Sequence, residues 1–233
     1  MITRMMSHSY LGHGLYSISD AAHIIRVPAG RLRHWVRGYY YGPALARRRQ
    51  VSVVPRFYGG DEEPLAFVEL IELLFVAEFQ QAGLSMQYIR KAAAKAREQF
   101  DASYPFAVRR FSTDGRQIFA TVDIEERPKS ATHEIVSGQV VFNSIVRRYF
   151  RYHLDVEDDI AKRYWPLGRK KRVVIDSERA FGTPIDAPTG VPTEALFAAV
   201  EAGDSEEDVA EWFDVPVEAI RAALKYERRP VAA

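Results

Sequence analysis

The stretch Ser17 to Gly38, SISDAAHIIRVPAGRLRHWVRG, carries four arginines and a single acid in two short apolar periodicities separated by a break. Ser17 followed three residues later by Asp20 reads as a capping box, in which the hydroxyl takes one orphan amide and the carboxylate takes the cap's own. Ile18, Ala21, Ala22 and Ile25 then supply the apolar stripe of a first helix that stops near Arg26. Val27 and Pro28 break the pattern, and proline is tolerated at a helix start. Leu32, Trp35 and Val36 make the stripe of a second helix, leaving Arg31, Arg33, His34 and Arg37 mostly off it. Two short helices joined by a tight turn, the second apolar behind and basic in front, are what a helix-turn-helix needs to set side chains against base edges. An ordinary helical hairpin with a solvated basic face has the same pattern, so the flanking sequence has to decide.

After Gly38 comes YYYGPALARRRQVSVVPRFYGG, in which Arg47, Arg48 and Arg49 precede a β-prone VSVV. That is the expected layout of a wing whose basic tip lies on the phosphate backbone. Ser17 and Ser19 at the start of the first helix, and Arg56 beyond the wing, complete the expected DNA-contacting set.

The charge of the whole chain hides how its two signs are arranged. A net charge of +1 over 233 residues separates into nine arginines against Asp20 alone in residues 1–60, and twelve acids against Arg179 alone in residues 176–218. The basic end suits a polyanion and the acidic end a basic partner. Between them lie further basic clusters, RRYFR and GRKKR. The chain has no cysteine, so disulfides and cysteine zinc sites are excluded. The N-terminal MITRMMSHSYLGHG lacks the apolar core of a signal peptide, and no run approaches a membrane span. A soluble, cytoplasmic protein is the expectation.

Pro64 to Gln81 is apolar almost all round, so this helix is either enclosed within its domain or covered by another protomer. Gly83 closes it, and Ser85 caps a helix ending near Phe100. Further on, VRRFSTDGRQIFATVD reads as a hairpin turning at Asp114 and Gly115, and HEIVSGQVVF as a second β segment. FNSIVRRYFRYHLDVEDDIAKRYWP reads as helical at first, with Ile145, Tyr149 and Tyr152 on one side and arginines 147, 148 and 151 interleaved. Such interleaving binds nucleic acid or an acidic surface in some proteins and is a solvated amphipathic face in more.

These residues carry a resemblance. The segment from Tyr16 to Gly38, followed by RFYGGDEEPLAFVELIELLFVAEFQQAGLSMQYIRKA, resembles the MerR-type winged helix-turn-helix over about residues 15–100. Its distinguishing elements are the helix pair with LRHW, the wing, and the later helix pair marked by Leu70, Leu74, Gly83, Leu84, Ser85 and Ile89. One departure is that Pro28, Ala29 and Gly30 stand where the family offers a serine or similar cap before its recognition helix.

The C-terminal stretch reads as three short helices. Thr193 is expected to cap the first and Gly203 to end it; Ser205 with Asp208 forms a second capping box, and Pro216 starts a helix running toward Arg228. Leu196, Val200, Val209, Trp212, Phe213, Val217, Ile220, Ala223 and Leu224 are the expected shared core. Through VVID, FGTPI, TGVPTEAL, AGDSEEDVAEWF and VEAIRAAL this stretch resembles the domain of unknown function numbered 433.

A MerR-like front with this tail resembles an antitoxin of the VapB type. The resemblance implies a repressor of its own operon that binds operator DNA, as a homodimer, and holds a PIN-like ribonuclease toxin inactive. An acidic tail complements a ribonuclease that must carry positive charge to hold RNA. Glu206, Glu207, Glu211, Trp212 and Phe213 are the candidate toxin-binding or dimer residues, although acids crowding a helix start also simply favour the helix dipole. A MerR-like regulator answering to a small ligand, with no toxin, and an interaction scaffold that never meets DNA remain the alternatives.

Enzymatic chemistry finds no support. The histidines at 8, 13, 23, 34, 133 and 153 show no ligand spacing, and no nucleophile elbow, Walker or dinucleotide motif appears. No cofactor or metal is expected. The fold class is therefore mainly α within an α+β chain. A DNA-binding domain spans residues 1–104, a β and helical connector 105–171, and an acidic domain 172–233.

Overall fold

The computed structural model of the chain describes residues 12–43, 46–60, 64–126 and 138–231. The architecture is α+β and mainly helical. Helices α1 (Ile18–Ile25) and α2 (Ala29–Arg37) lead into a two-stranded antiparallel wing, β1 (Tyr39–Tyr41) and β2 (Arg48–Gln50). Helices α3 (Phe67–Gln81), α4 (Met86–Phe100), α5 (Arg109–Glu126) and α6 (Gly138–Tyr152) follow. A four-stranded antiparallel sheet in the order β3 (Leu154–Glu157), β4 (Ile160–Tyr164), β5 (Val173–Asp176) and β6 (Ile185–Asp186) then hands over to α7 (Thr193–Glu201), α8 (Glu206–Trp212) and α9 (Val217–Glu227). Among the described residues no helix is long and apolar enough to cross a membrane.

The all-round apolar α3 is enclosed within the chain. It lies against α1, α4, α6, β4 and a 3-10 turn at Pro105–Ala107, and Phe67, Leu70, Ile71, Phe75 and Phe79 are all buried. Phe75 and Phe79 sit among Phe106, Phe111, Phe119, Tyr149 and Phe150, with ring centroids mostly 5–6 Å apart, the spacing at which aromatic pairs add to burial. One hydrophobic core therefore runs unbroken from Tyr16 to Ile175, across the boundary expected at residue 104. A separate small core holds α7–α9 together, from Leu196 to Leu224.

Two acids lie inside α3 at full burial. Glu69 accepts from the Ala66 amide at 2.8 Å, capping its own helix, and from Arg56 Nε at 2.9 Å. Glu72 accepts from the Phe106 amide at 2.5 Å, while its other oxygen finds no hydrogen-bond partner among the described residues. Burial pushes the Glu72 carboxyl up to about 8, and the amide hydrogen bonds and the Arg97 charge only partly oppose it.

The middle of the chain departs from the sequence expectation. Residues 109–126 form one helix in place of a hairpin at Asp114 and Gly115, because the apolar positions Phe111, Ile118, Phe119 and Val122 repeat with helical period. Gly115 lies inside that helix and lets α6 approach: a Cβ there would come within 2.7 Å of Phe111 and Phe142. HEIVSGQVVF is likewise not a β segment from Gly138 onward but the start of α6; its residues 133–137 fall outside the described residues. Asp123 of α5 supplies the α6 N-terminus with an acceptor, taking the Gly138 amide at 3.0 Å, and Tyr88 donates to the same oxygen at 2.8 Å. The helix expected in the first part of FNSIVRRYFRYHLDVEDDIAKRYWP ends at Tyr152. Asp158 and Asp159 both take left-handed dihedrals, φ 48° and 66°, so this pair forms the tight turn between β3 and β4. Among the described residues, the strands of the expected 105–171 connector are thus β3 and β4, at its far end, and not the stretches around Asp114 and Gly138.

Candidate nucleic-acid interface

Ser17 caps α1 as the spacing predicts: its hydroxyl accepts from the Asp20 amide at 3.1 Å and Asp20 accepts from the Ser17 amide at 2.9 Å. Arg26 ends the helix in a left-handed turn at φ 66°. Val27 drops into the core, and the extended Pro28 opens α2 with no side-chain cap, in keeping with the departure noted at this turn. Leu32, Trp35 and Val36 are buried, which leaves Arg31, Arg33 and His34 exposed and Arg37 half-buried on the outer side. Ser17 and Ser19 are exposed at the α1 start.

The wing forms beside α2, from different residues than VSVV. Its strands are Tyr39–Tyr41 and Arg48–Gln50, paired Tyr39 with Gln50, Tyr40 with Arg49 and Tyr41 with Arg48. Arg47, Arg48 and Arg49 are exposed along it, whereas Val53 and Val54 are buried. Gly38 makes the close approach possible: at φ 74° it leaves α2, and a Cβ there would collide with the Gln50 carbonyl. The return segment is pinned from behind. Arg90 of α4 donates to the carbonyls of Val51 and Ser52 at 2.7 and 3.1 Å, Arg97 to Val53 at 2.8 Å, and the Val53 amide to the Trp35 carbonyl at 2.8 Å. α2 and the wing thus share one rigid support.

Arg56 is a correction. Its guanidinium is spent on Glu69 and on the Pro64 carbonyl at 3.1 Å, with its side chain only 8% exposed, so it is a buried partner of an acid and not a phosphate contact. Sequence reasoning also passed over the three tyrosines. Tyr39, Tyr40 and Tyr41 are 43, 65 and 45% exposed, a rare presentation for large aromatics. The His34 and Tyr39 rings stand 5.2 Å apart, and Tyr39 and Tyr41 6.1 Å apart, so an aromatic row joins α2 to the wing. The signal lay in the sequence as three consecutive aromatics close to an arginine triplet. Residues 21–60 contain no acid at all, so nothing on this surface from that stretch opposes a polyanion.

At the other end, Ser205 caps α8, accepting from the Asp208 amide at 3.1 Å. Thr193 does not cap α7; Pro192 occupies that position, and the buried Thr193 hydroxyl instead donates to Glu227 at 2.5 Å. Glu207 and Glu211 are exposed, whereas Glu206 pairs with Arg221 at 2.9 Å. Trp212 is 64% exposed, so it leaves the expected shared core and stands beside these acids, while Phe213 packs against the core.

Comparison with known proteins agrees with this division. Residues 14–93 match the family described as "Putative DNA-binding HTH domain", and residues 173–226 match "Protein of unknown function (DUF433)". The protein of Mycobacterium tuberculosis (strain ATCC 25618 / H37Rv) described as "Putative antitoxin VapB45" is 28% identical over 222 residues, covering 90% of this chain and 92% of its own. The crystal structure of Rv2018 from Mycobacterium tuberculosis has the same fold, with a TM-score of 0.67 at 20% identity over 91% of this chain and 97% of its own. The chain thus resembles a VapB-type antitoxin along nine-tenths of its length, with a helix-turn-helix DNA-binding domain in front and the domain of unknown function 433 behind.

Proposed function

We propose that this protein is an antitoxin that binds operator DNA through α2 and the wing, represses its own operon, and neutralises a basic toxin through its C-terminal helices. The observation that carries the DNA-binding part is the pairing of the exposed Arg31, Arg33 and His34 of α2 with the exposed Arg47, Arg48 and Arg49 of the wing on one rigid support. Arg31, Arg33 and Arg37 read or anchor DNA in the major groove, and the wing arginines hold the phosphates. A homodimer would place two such helices about one helical turn apart on an inverted repeat. The resemblance to a VapB antitoxin supports the toxin, and the acidic Glu207 and Glu211 beside the exposed Trp212 are the surface that suits a PIN-like ribonuclease. The protein acts by binding, without catalysis, in the cytoplasm.

Binding of the chain's own promoter fragment tests the reading. Replacing Arg31, Arg33 and Arg37 together by alanine should abolish specific binding, each base contact costing about 1–3 kcal/mol, while a lost phosphate contact should shallow the salt dependence by about one unit of slope. Unchanged binding by a folded triple variant would remove the assignment. If the adjacent open reading frame encodes a PIN-like nuclease, co-expression with it tests the toxin, growth being rescued only by the full chain; the absence of such a frame would favour a regulator with no toxin.

A further inference from the structure

The turn of the helix-turn-helix is gripped by the far end of the chain. Arg26, the left-handed residue that ends α1, donates to the carbonyl of Tyr226 at 2.5 Å and to that of Glu227 at 3.4 Å. Its guanidinium lies 5.4 Å from the centre of the Tyr226 ring, and Arg229 lies 4.1 Å from that centre, so two cations contact the buried ring. One turn earlier on α1, His23 meets Glu227 at 2.7 Å, and the other Glu227 oxygen accepts from Thr193 of α7. The last turn of α9 therefore holds the last turn of α1 and the turn residue itself.

We propose that Arg26 is a positioning residue for DNA recognition, and that α9, through Tyr226 and Glu227, sets the angle at which α2 meets DNA. Only Val27 and Pro28 separate Arg26 from α2, and α2 has no side-chain cap of its own to fix its start. A non-glycine residue at positive φ is disfavoured unless its surroundings hold it: the Arg26 and Val27 amides reach back to the Ala22 carbonyl at 2.8 and 3.1 Å, and the Arg26 side chain is held by the C-terminal domain. The recognition helix is thus tied directly to the domain proposed to meet the toxin. A partner that shifts α9 alters DNA affinity, and by reciprocity DNA alters the affinity for that partner.

The inference rests on the DNA-binding reading, and one experiment separates the two. Promoter-fragment affinity is measured across a salt series for the wild type, Arg26→Gly, Tyr226→Leu and Tyr226→Phe, with thermal unfolding as the control for folding. Glycine keeps the left-handed turn and deletes only the grip, leucine removes the ring that the cations contact, and phenylalanine keeps it, since among the described residues the Tyr226 hydroxyl has no hydrogen-bond partner to lose. Arg26→Gly and Tyr226→Leu should bind roughly 5- to 150-fold more weakly with an unchanged salt slope, and Tyr226→Phe should bind as the wild type. A drop of about one unit of slope for Arg26→Gly would make Arg26 a phosphate contact and overturn the positioning role. Unchanged affinity of the folded Gly and Leu variants would overturn it too. Should neither variant fold, hydrogen exchange on the wild type decides: DNA should slow exchange in the last turn of α9, and no change there overturns the proposal. A wild type that binds no promoter fragment would instead remove the DNA-binding reading itself.

Discussion

The front pair α1–α2 and the rear trio α7–α9 use the same local code and come out as opposite surfaces. Each opens a helix with serine followed three residues later by aspartate, Ser17 with Asp20 and Ser205 with Asp208, and each starts a later helix after a proline, Pro28 and Pro216. The exposed faces then diverge, arginines in front and glutamates behind. Their cores diverge as well. The front buries Leu32, Trp35 and Val36 in the large core that continues to Ile175, whereas the rear closes over its own small cluster around Leu196 and Ile220. Capping chemistry sets where short helices begin; what they pack against decides whether they are a domain or part of one.

Cutting the chain should break the comparison most severely. A fragment ending at Tyr104, drawn at the boundary the sequence suggests, takes Phe106, Phe111 and Phe119 away from Phe75 and Phe79. It should lose its cooperative melt, and a sharp unfolding transition in the isolated fragment would show that the front is self-sufficient after all. Single cavities make the same point more gently. Phe79→Ala should cost about 3–5 kcal/mol and Ile220→Ala about 2–5 kcal/mol by denaturant unfolding. The first should loosen the wing as well, and the second should leave the large core intact and reach the front only through the hold of α9 on Arg26.

Glu72 adds a pH dependence that belongs to the large core alone. Its folded carboxyl titrates near 8, above the ordinary value of 4.5, so folding favours the protonated form. The stability it contributes is complete below the unfolded value and is lost as pH rises toward and through 8. Glu72→Gln should therefore raise the melting temperature by several degrees at pH 9, roughly 2–4 °C per kcal/mol for a chain of this size, with little change at pH 5. An equal shift at both pH values would exclude the buried carboxyl as the cause.

The opposed surfaces should respond to charge in opposed assays. Glu207→Lys with Glu211→Lys should weaken toxin binding by about 1–2 kcal/mol at low salt, and less at high salt because exposed charges are screened over about 8–10 Å. DNA affinity at high salt should not move, and titration calorimetry against both ligands checks the pair. The smallest effect tests the shared code: Ser17→Ala and Ser205→Ala should each cost about 1 kcal/mol, read as similar shifts in denaturant midpoint. A large difference between them would show that one cap acts through packing and not through its hydrogen bond.

Much of the site was legible in the chain itself. The serine caps, the break at Val27 and Pro28, the buried stripe of α2, the all-round apolar character of α3 and the opposed charges follow from short-range rules that act within a helical turn or two. The three tyrosines of β1 were visible but unweighted, because nothing local says that β1 pairs with the arginine strand. Asp114 and Gly115 misled for a related reason. A turn dipeptide is a local preference, and the packing of Phe111, Phe119 and Phe142 across two helices outweighed it.

By itself, the sequence determined the starts of the serine-capped helices α1, α4 and α8, the apolar faces of α2 and α3 and the segregation of charge, since capping groups and side-chain periodicity are read within a few residues. Tertiary structure alone decided that Arg56 is buried against Glu69 rather than presented to DNA, that Asp123 of α5 caps the start of α6, and that Arg26 is held by Tyr226 two hundred residues away. Each of these is a charged or polar group whose partner lies on another element. Burial makes that partner obligatory, because an ion or amide withdrawn from water must be matched where the fold puts it, and no local pattern records where that will be.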